Sequence, residues 1–175
     1  STVYATDVSI NSLKNVALPL TSFFPQKPDV FAAVDAEELP FKDKTFDVIF
    51  AVTMIHHLPH PEKLFLEIQR VLRPGGVFIA IDHCVPSHFR WLFSKVANDR
   101  AQKFGIQEDL ISYSRWLEIF RLSSFPLDSL QIYTNAAYQS NPLIAILGRV
   151  IHWLPVNFVK HLLPVGIQIV YHKIV

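Results

Sequence analysis

The chain has 175 residues and is 50% hydrophobic, which is the profile of one globular domain with a sizeable core. Its 16 basic and 15 acidic residues give a formal net charge of +1, so there is little field to attract phosphates and no electrostatic case for nucleic-acid binding. The single cysteine, Cys84, excludes an internal disulfide and favours a reducing compartment, the cytoplasm.

Short apolar runs predict six buried strands, at residues 3–6, 30–34, 46–52, 77–81, 130–134 and 167–170, with one of the last two antiparallel. Between the third and fourth runs, Pro61–Leu72 carries apolar residues at helical spacing, and Pro61 suits a first helical position. The sequence Arg73-Pro74-Gly75-Gly76 then ends the helix. This alternation predicts a doubly wound, mostly parallel α/β sheet.

Two helical insertions interrupt the alternation, at about 87–123 and 142–163. Large apolar side chains in the first are typical of core packing, or of a lid over an apolar pocket. The second is too often interrupted by charges and prolines to predict a membrane span. Its Arg149 and the nearby Lys160 would suit either a helix at a membrane surface or the solvated face of a packed helix.

An acidic residue directly follows each of the first two apolar runs. Asp7 closes Val3–Thr6, and Asp35 closes Val30–Val34. Ligands of open α/β sheets bind beyond the carboxyl ends of the strands, so both carboxylates should face one crevice. One could accept hydrogen bonds from ribose hydroxyls and the other from an exocyclic amine. Both could instead be ordinary turn or helix-capping residues.

Further along the chain come Asp35-Ala36-Glu37-Glu38-Leu39-Pro40-Phe41, Phe46–Val52 running into Ile55-His56-His57-Leu58, and Leu72-Arg73-Pro74-Gly75-Gly76. This series, over roughly residues 3–82, resembles the class I S-adenosylmethionine-dependent methyltransferases that modify small molecules and lipids.

The resemblance implies a role for seven residues. Asp7 would hold the ribose of S-adenosylmethionine, and Asp35 and Ala36 would face its adenine. Val52 and Thr53 would line its methionine part. His56 and His57 would lie between cofactor and acceptor, where an imidazole could accept a proton. A loop histidine that only packs against its surroundings is the alternative.

One part of the family pattern is absent. A strand and a glycine-rich turn precede the position of Asp7 in the family, but only six residues precede it here, and none of the five glycines can take that part. We therefore expect a single domain, residues 1–175, that lacks its first strand and glycine-rich loop and binds the cofactor poorly as it stands.

His56, His57 and His60 also suggest a metal, but Pro59 and Pro61 break any helix that would present them together, and no cysteine or carboxylate completes a set, so we expect none. The leading hypothesis is a methyltransferase acting on a small or lipid-like acceptor, a reaction that needs alignment more than covalent chemistry. The rivals are a non-catalytic, partner-binding remnant of the fold and a nucleotide-dependent oxidoreductase. The acceptor and the oligomeric state are left open.

Overall fold

The computed structural model describes residues 2–14, 28–91, 95, 110–133, 155, 160 and 165–174. Within these ranges, the strands are β1 (Tyr4–Asp7), β2 (Val30–Ala33), β3 (Phe46–Val52), β4 (Leu72–Cys84), β5 (Leu130–Tyr133) and β6 (Val165–His172). The helices are α1 (Ile10–Ser12), α2 (Pro61–Val71) and α3 (Tyr113–Leu122). Short 3₁₀ turns lie at Ile55–His57, Ser87–Phe89 and Leu127–Ser129.

The strands form a mostly parallel α/β arrangement, as the sequence predicted. β1 pairs with β2 in parallel, and a four-stranded sheet has the order β3-β4-β6-β5. β3 and β4 are parallel, whereas β6 runs antiparallel to both β4 and β5, which confirms the single reversed strand. The described strands thus belong to two hydrogen-bonded sheets rather than one, because β1 and β3 are not paired with each other.

The two sheets lie side by side and run in the same direction. At their amino ends, the Tyr4 ring of β1 makes an edge contact with the Phe46 ring of β3, with centroids 5.6 Å apart. Beyond their carboxyl ends, Glu37 in the segment after β2 accepts a hydrogen bond from the backbone N–H of His60, at the end of the segment that joins β3 to α2. The carboxyl ends of β1, β2, β3 and β4 therefore share one edge of the fold.

The core lies on one face of the larger sheet and is built mainly by α2 and α3. Pro61 occupies the first turn of α2, and the helix buries the apolar stripe predicted from its spacing, Leu64, Phe65, Ile68 and Val71. Phe65 packs against Phe78 of β4 and against Trp116 and Phe120 of α3. Trp116 and Phe120 are thus core residues, the plainer of the two interpretations of that insertion, whereas Trp91, in the same insertion, is 69% exposed.

β4 is longer than predicted, because it begins directly at the end of α2. The turn expected at Arg73–Gly76 is instead a bulge within β4. Phe46 pairs with Leu72, but Val48, two residues later in β3, pairs with Val77, five residues later in β4. Gly75 has a φ of 78°, a left-handed conformation that glycine adopts without strain. The bulge remains hydrogen-bonded, since Gly75 N–H donates to Lys173.

Most of the first predicted insertion and nearly all of the second lie outside the described residues. Thr134, the last residue of the fifth predicted strand, lies there too. Among the helices that the structure describes, none is both long and apolar enough to cross a membrane.

Candidate active site

Asp7 and Asp35 lie at the carboxyl ends of two paired strands, as predicted. Asp7 pairs with Ala33, and its backbone carbonyl accepts a hydrogen bond of 2.9 Å from Val34 N–H, next to Asp35. One oxygen of each carboxylate binds its own turn: Asp7 Oδ1 accepts from Ser9 N–H at 2.7 Å, and Asp35 Oδ1 accepts from Glu37 N–H at 2.8 Å.

Both carboxylates therefore stabilise a turn, which was the alternative interpretation of these residues, but each uses only one of its two oxygens to do so. The second oxygens, Oδ2 of Asp7 and of Asp35, have no hydrogen-bond partner among the described residues. Asp35 is exposed and Asp7 is half-buried, so both are accessible to a polar ligand. Ala36, beside Asp35, packs against the core and anchors this turn.

The turn that carries Asp35 is fastened to α2 by a charged pair. Arg70 donates to the backbone carbonyls of Leu39 and Phe41 and to both oxygens of Glu67. Glu67 in turn accepts from Leu39 N–H at 2.8 Å. The hydrogen bond from Arg70 lowers the pKa of Glu67, so the carboxylate stays ionised and the loop stays attached well below neutral pH.

Val52 and Thr53 end β3 at the same edge of the fold. Val52 is 60% exposed, a high value for an apolar strand residue. Thr53 has a φ of 48°, in the left-handed region that a β-branched residue rarely adopts, although its N–H still bonds Ile81 at 2.8 Å. Local strain of this kind is concentrated at functional sites.

His56 belongs to a buried polar pair that the sequence did not predict. Its Nδ1 lies 2.6 Å from Asp82 Oδ1, and the two residues are 5% and 1% exposed. The Asp82 carboxylate also accepts hydrogen bonds from the backbone N–H groups of Ile55, His56 and His83, at 2.8, 3.3 and 2.6 Å. One carboxylate therefore fixes both the imidazole and the turn that carries it.

His57 is exposed, and its ring centroid lies 4.0 Å from that of His56. His60 is exposed as well, and its Nδ1 lies 3.8 Å from Glu62. In the described ranges, no group of three or more His, Cys, Asp or Glu side chains is arranged to hold a metal ion.

A cavity of about 250 Å³ opens beside His56. It lies between the loop that leads into α2 and the segment that leads into α3, and both polar and apolar side chains line it. The lining residues are His56, Leu58, Pro59, Pro61, Arg90, Leu110, Ile111, Ser112 and Arg115. Arg115 is neutralised by Glu62 and Glu118, at 3.2 and 3.0 Å. The lining is more polar than apolar, so a molecule in the cavity would meet hydrogen-bonding groups as well as an apolar wall.

Asp82 could have been found from the sequence by the rule that found Asp7 and Asp35. It too is an acidic residue directly after an apolar run, Val77–Ile81. What the rule does not give is its partner, since the contact with His56 spans 26 positions in the chain.

Residues 1–80 match the family model of a methyltransferase domain. A sterol 4-C-methyltransferase of Caenorhabditis elegans is 48% identical over 50 residues, which is 29% of this chain and 15% of that protein. The phthiotriol/phenolphthiotriol dimycocerosates methyltransferase 1 of Mycobacterium ulcerans is 46% identical over 52 residues, 30% of this chain and 19% of that protein. The matched segments thus span less than a fifth of these relatives.

Solved structures resemble the whole chain. A Bacillus halodurans protein described as a methyltransferase has a TM-score of 0.67 at 19% identity, covering 100% of this chain and 84% of its own. The geranyl diphosphate C-methyltransferase of Streptomyces coelicolor has a TM-score of 0.62 at 14% identity, covering 99% and 64%. At these identities the likeness shows the fold. The chain is thus similar in sequence to a methyltransferase domain over residues 1–80, a little under half of its length, and similar in fold to solved methyltransferases.

Proposed function

We propose that this protein transfers a methyl group from S-adenosylmethionine to a small-molecule or lipid-like acceptor. The observation that carries the proposal is the placement of Asp7 and Asp35 on neighbouring strand ends, each with one carboxylate oxygen available, at the same edge of the fold as His56 and its cavity. The named activities of the sterol and phthiotriol relatives support the choice of a lipid-like acceptor.

The residues present fit the adenosine part of the cofactor. Asp7 Oδ2 would accept from ribose hydroxyls, and Asp35 Oδ2 would accept from the adenine amine, with Ala36 beside the ring. Val52 and Thr53 would line the methionine part. When bound, S-adenosylmethionine supplies an electrophilic methyl group on a sulfonium. The protein's part is to align the acceptor with that methyl group and to exclude water.

The acceptor would occupy the cavity beside His56. Leu58, Pro59 and Ile111 give it an apolar wall, and Ser112 and His56 give it polar contacts. Either His56 or His57 could touch the acceptor, but only His56 is buried and lines the cavity, so we assign it the catalytic role. The single buried cysteine, Cys84, favours a reducing compartment such as the cytoplasm.

The test is calorimetric titration of the full-length protein with S-adenosylhomocysteine. Asp7→Ala should weaken binding by about 1.5–3 kcal/mol, roughly 10- to 150-fold, because the ribose hydroxyls lose their acceptor. Asp128→Ala is the matched control: it removes an exposed carboxylate from the turn before β5, at the other edge of the larger sheet, and should leave the affinity unchanged. Equal affinity in Asp7→Ala and the wild type would contradict the assignment.

A partner-binding role is the second candidate, and the exposed face of β3 favours it. Val48, Phe50 and Val52 point to one face of the sheet and are 48%, 68% and 60% exposed. Contiguous exposed apolar side chains often mark protein contacts. A full-length protein that binds no S-adenosylhomocysteine, and that loses its self-association or partner on Phe50→Ser, would favour this role over catalysis.

A further inference from the structure

Asp82 makes a contact with His56 that specifies where the imidazole proton lies. An ionised carboxylate can only accept hydrogen bonds, and the three backbone N–H groups that converge on Asp82 suit that state. The 2.6 Å contact with His56 therefore requires the proton on Nδ1. In a neutral imidazole, Nε2 then carries the lone pair.

His56 lines the cavity, whereas Asp82 is 1% exposed and does not. With Nδ1 bound to Asp82, Nε2 is the ring nitrogen left for a molecule in the cavity. A basic nitrogen at that place is useful to an acceptor that must lose a proton as it is methylated.

Resting on the proposed function, we propose that Asp82 is a positioning residue that holds His56 in its Nδ1–H form, and that His56 Nε2 accepts the proton of a hydroxyl-bearing acceptor. As the acceptor oxygen forms its bond to the methyl carbon, the bond from that carbon to the sulfonium sulfur breaks, and sulfur keeps the electron pair as a neutral thioether. The hydroxyl proton passes to Nε2. Asp82 then stabilises the imidazolium through the same 2.6 Å contact.

Kinetics of the full-length protein with a hydroxylated sterol test the step. Asp82→Asn and His56→Gln should each lower kcat about 100-fold, the usual scale of a positioned general base, while the Kd for S-adenosylhomocysteine stays within a factor of about three. Because both changes remove one step, the double variant should be no slower than the slower single variant. Asp47→Asn, at the exposed start of β3, is the matched control and should keep the wild-type kcat.

Since Asp82 also holds backbone N–H groups, Asp82→Asn could lower kcat by disturbing the turn alone. Nitrogen-15 NMR of His56 removes that ambiguity, because its shifts report which ring nitrogen carries the proton. At a pH where the imidazole is neutral, the wild type should show Nδ1–H, and Asp82→Asn should shift the proton toward Nε2. The titratable and charged groups around the ring are His57, His83, Arg90 and Arg115. The two proteins are therefore compared at the same pH, so that these groups carry the same charges in both.

The possible failures are distinct. A wild-type protein that binds no S-adenosylhomocysteine overturns the proposed function and the proton transfer with it. A wild-type His56 protonated on Nε2 overturns the role of Asp82 alone. Multiplicative losses in the double variant, or a full kcat in His56→Gln, overturn the proton transfer while leaving methyl transfer intact.

Discussion

At the scale of single residues, Thr53 combines a strained backbone conformation with a position beside the candidate site. It is β-branched, yet it adopts a φ of 48° directly after the strand that ends beside the candidate site. Left-handed backbone costs a residue other than glycine about 1–2 kcal/mol. Such strain persists only where surrounding bonds enforce it, and here Thr53 N–H is held by Ile81.

Thr53→Gly should relieve this strain. The gain is partly offset by the greater freedom of glycine in the unfolded chain, so we expect the free energy of unfolding to rise by at most about 1 kcal/mol. If Thr53 lines the cofactor, S-adenosylhomocysteine should bind more weakly to the same variant. Chemical denaturation and calorimetry measure the two effects, and a variant both less stable and tighter-binding would contradict this account.

At the same scale, the sequence predicted the positions of some candidate residues better than those of others. Asp7 and Asp35 could be placed because an acidic residue after an apolar run lies at a strand end. His56 could be named but not oriented, because its partner Asp82 belongs to another strand. The strain at Thr53 left no trace in the sequence at all, since nothing about a threonine after a valine predicts a positive φ.

At the scale of elements, β4 carries a buried titratable group that the proposed chemistry does not use. Cys84 is fully buried near the carboxyl end of this strand, and burial raises the pKa of its thiol to about 12. A folded-state pKa above the unfolded value makes folding oppose ionisation. The stability that this thiol contributes is complete below the unfolded pKa and is lost as the pH rises toward the folded one.

The free energy of unfolding should therefore fall with a slope of about 0.7 kcal/mol per pH unit at the unfolded pKa of about 8.5, rising toward about 1.4 kcal/mol per pH unit above it. Urea denaturation between pH 8.5 and 9.5 measures this slope, in a range below that in which Tyr171, whose pKa burial also raises, contributes. In Cys84→Ala the slope should disappear. An equal slope in both proteins would show that the thiol is not buried as described.

The elements also show which parts of the fold local patterns determine. Pro61 and the apolar stripe of α2 predicted that helix to within one residue of its end. The start of β4 was missed, because the bulge at Gly75 is held by Lys173, about a hundred positions away. Contacts that distant leave no local pattern to detect.

At the scale of the whole molecule, the candidate cofactor site combines residues at the ends of strands from both described sheets. The candidate cofactor residues come from both: Asp7 and Asp35 from the smaller sheet, Thr53 from the larger. Between the sheets, β1 and β3 are joined by side-chain contacts such as Tyr4 with Phe46 rather than by strand pairing.

The most direct test of the account is transfer of label from methyl-tritiated S-adenosylmethionine to an organic-soluble acceptor by the full-length protein. We expect tritium to enter a hydroxylated sterol or lipid, Asp7→Ala to need more cofactor for half-maximal transfer, and His56→Gln to lower kcat. The Asp47→Asn control should transfer label at the wild-type rate. Binding of a nicotinamide nucleotide in place of S-adenosylmethionine, with no transfer of label to any acceptor, would contradict the account and favour an oxidoreductase.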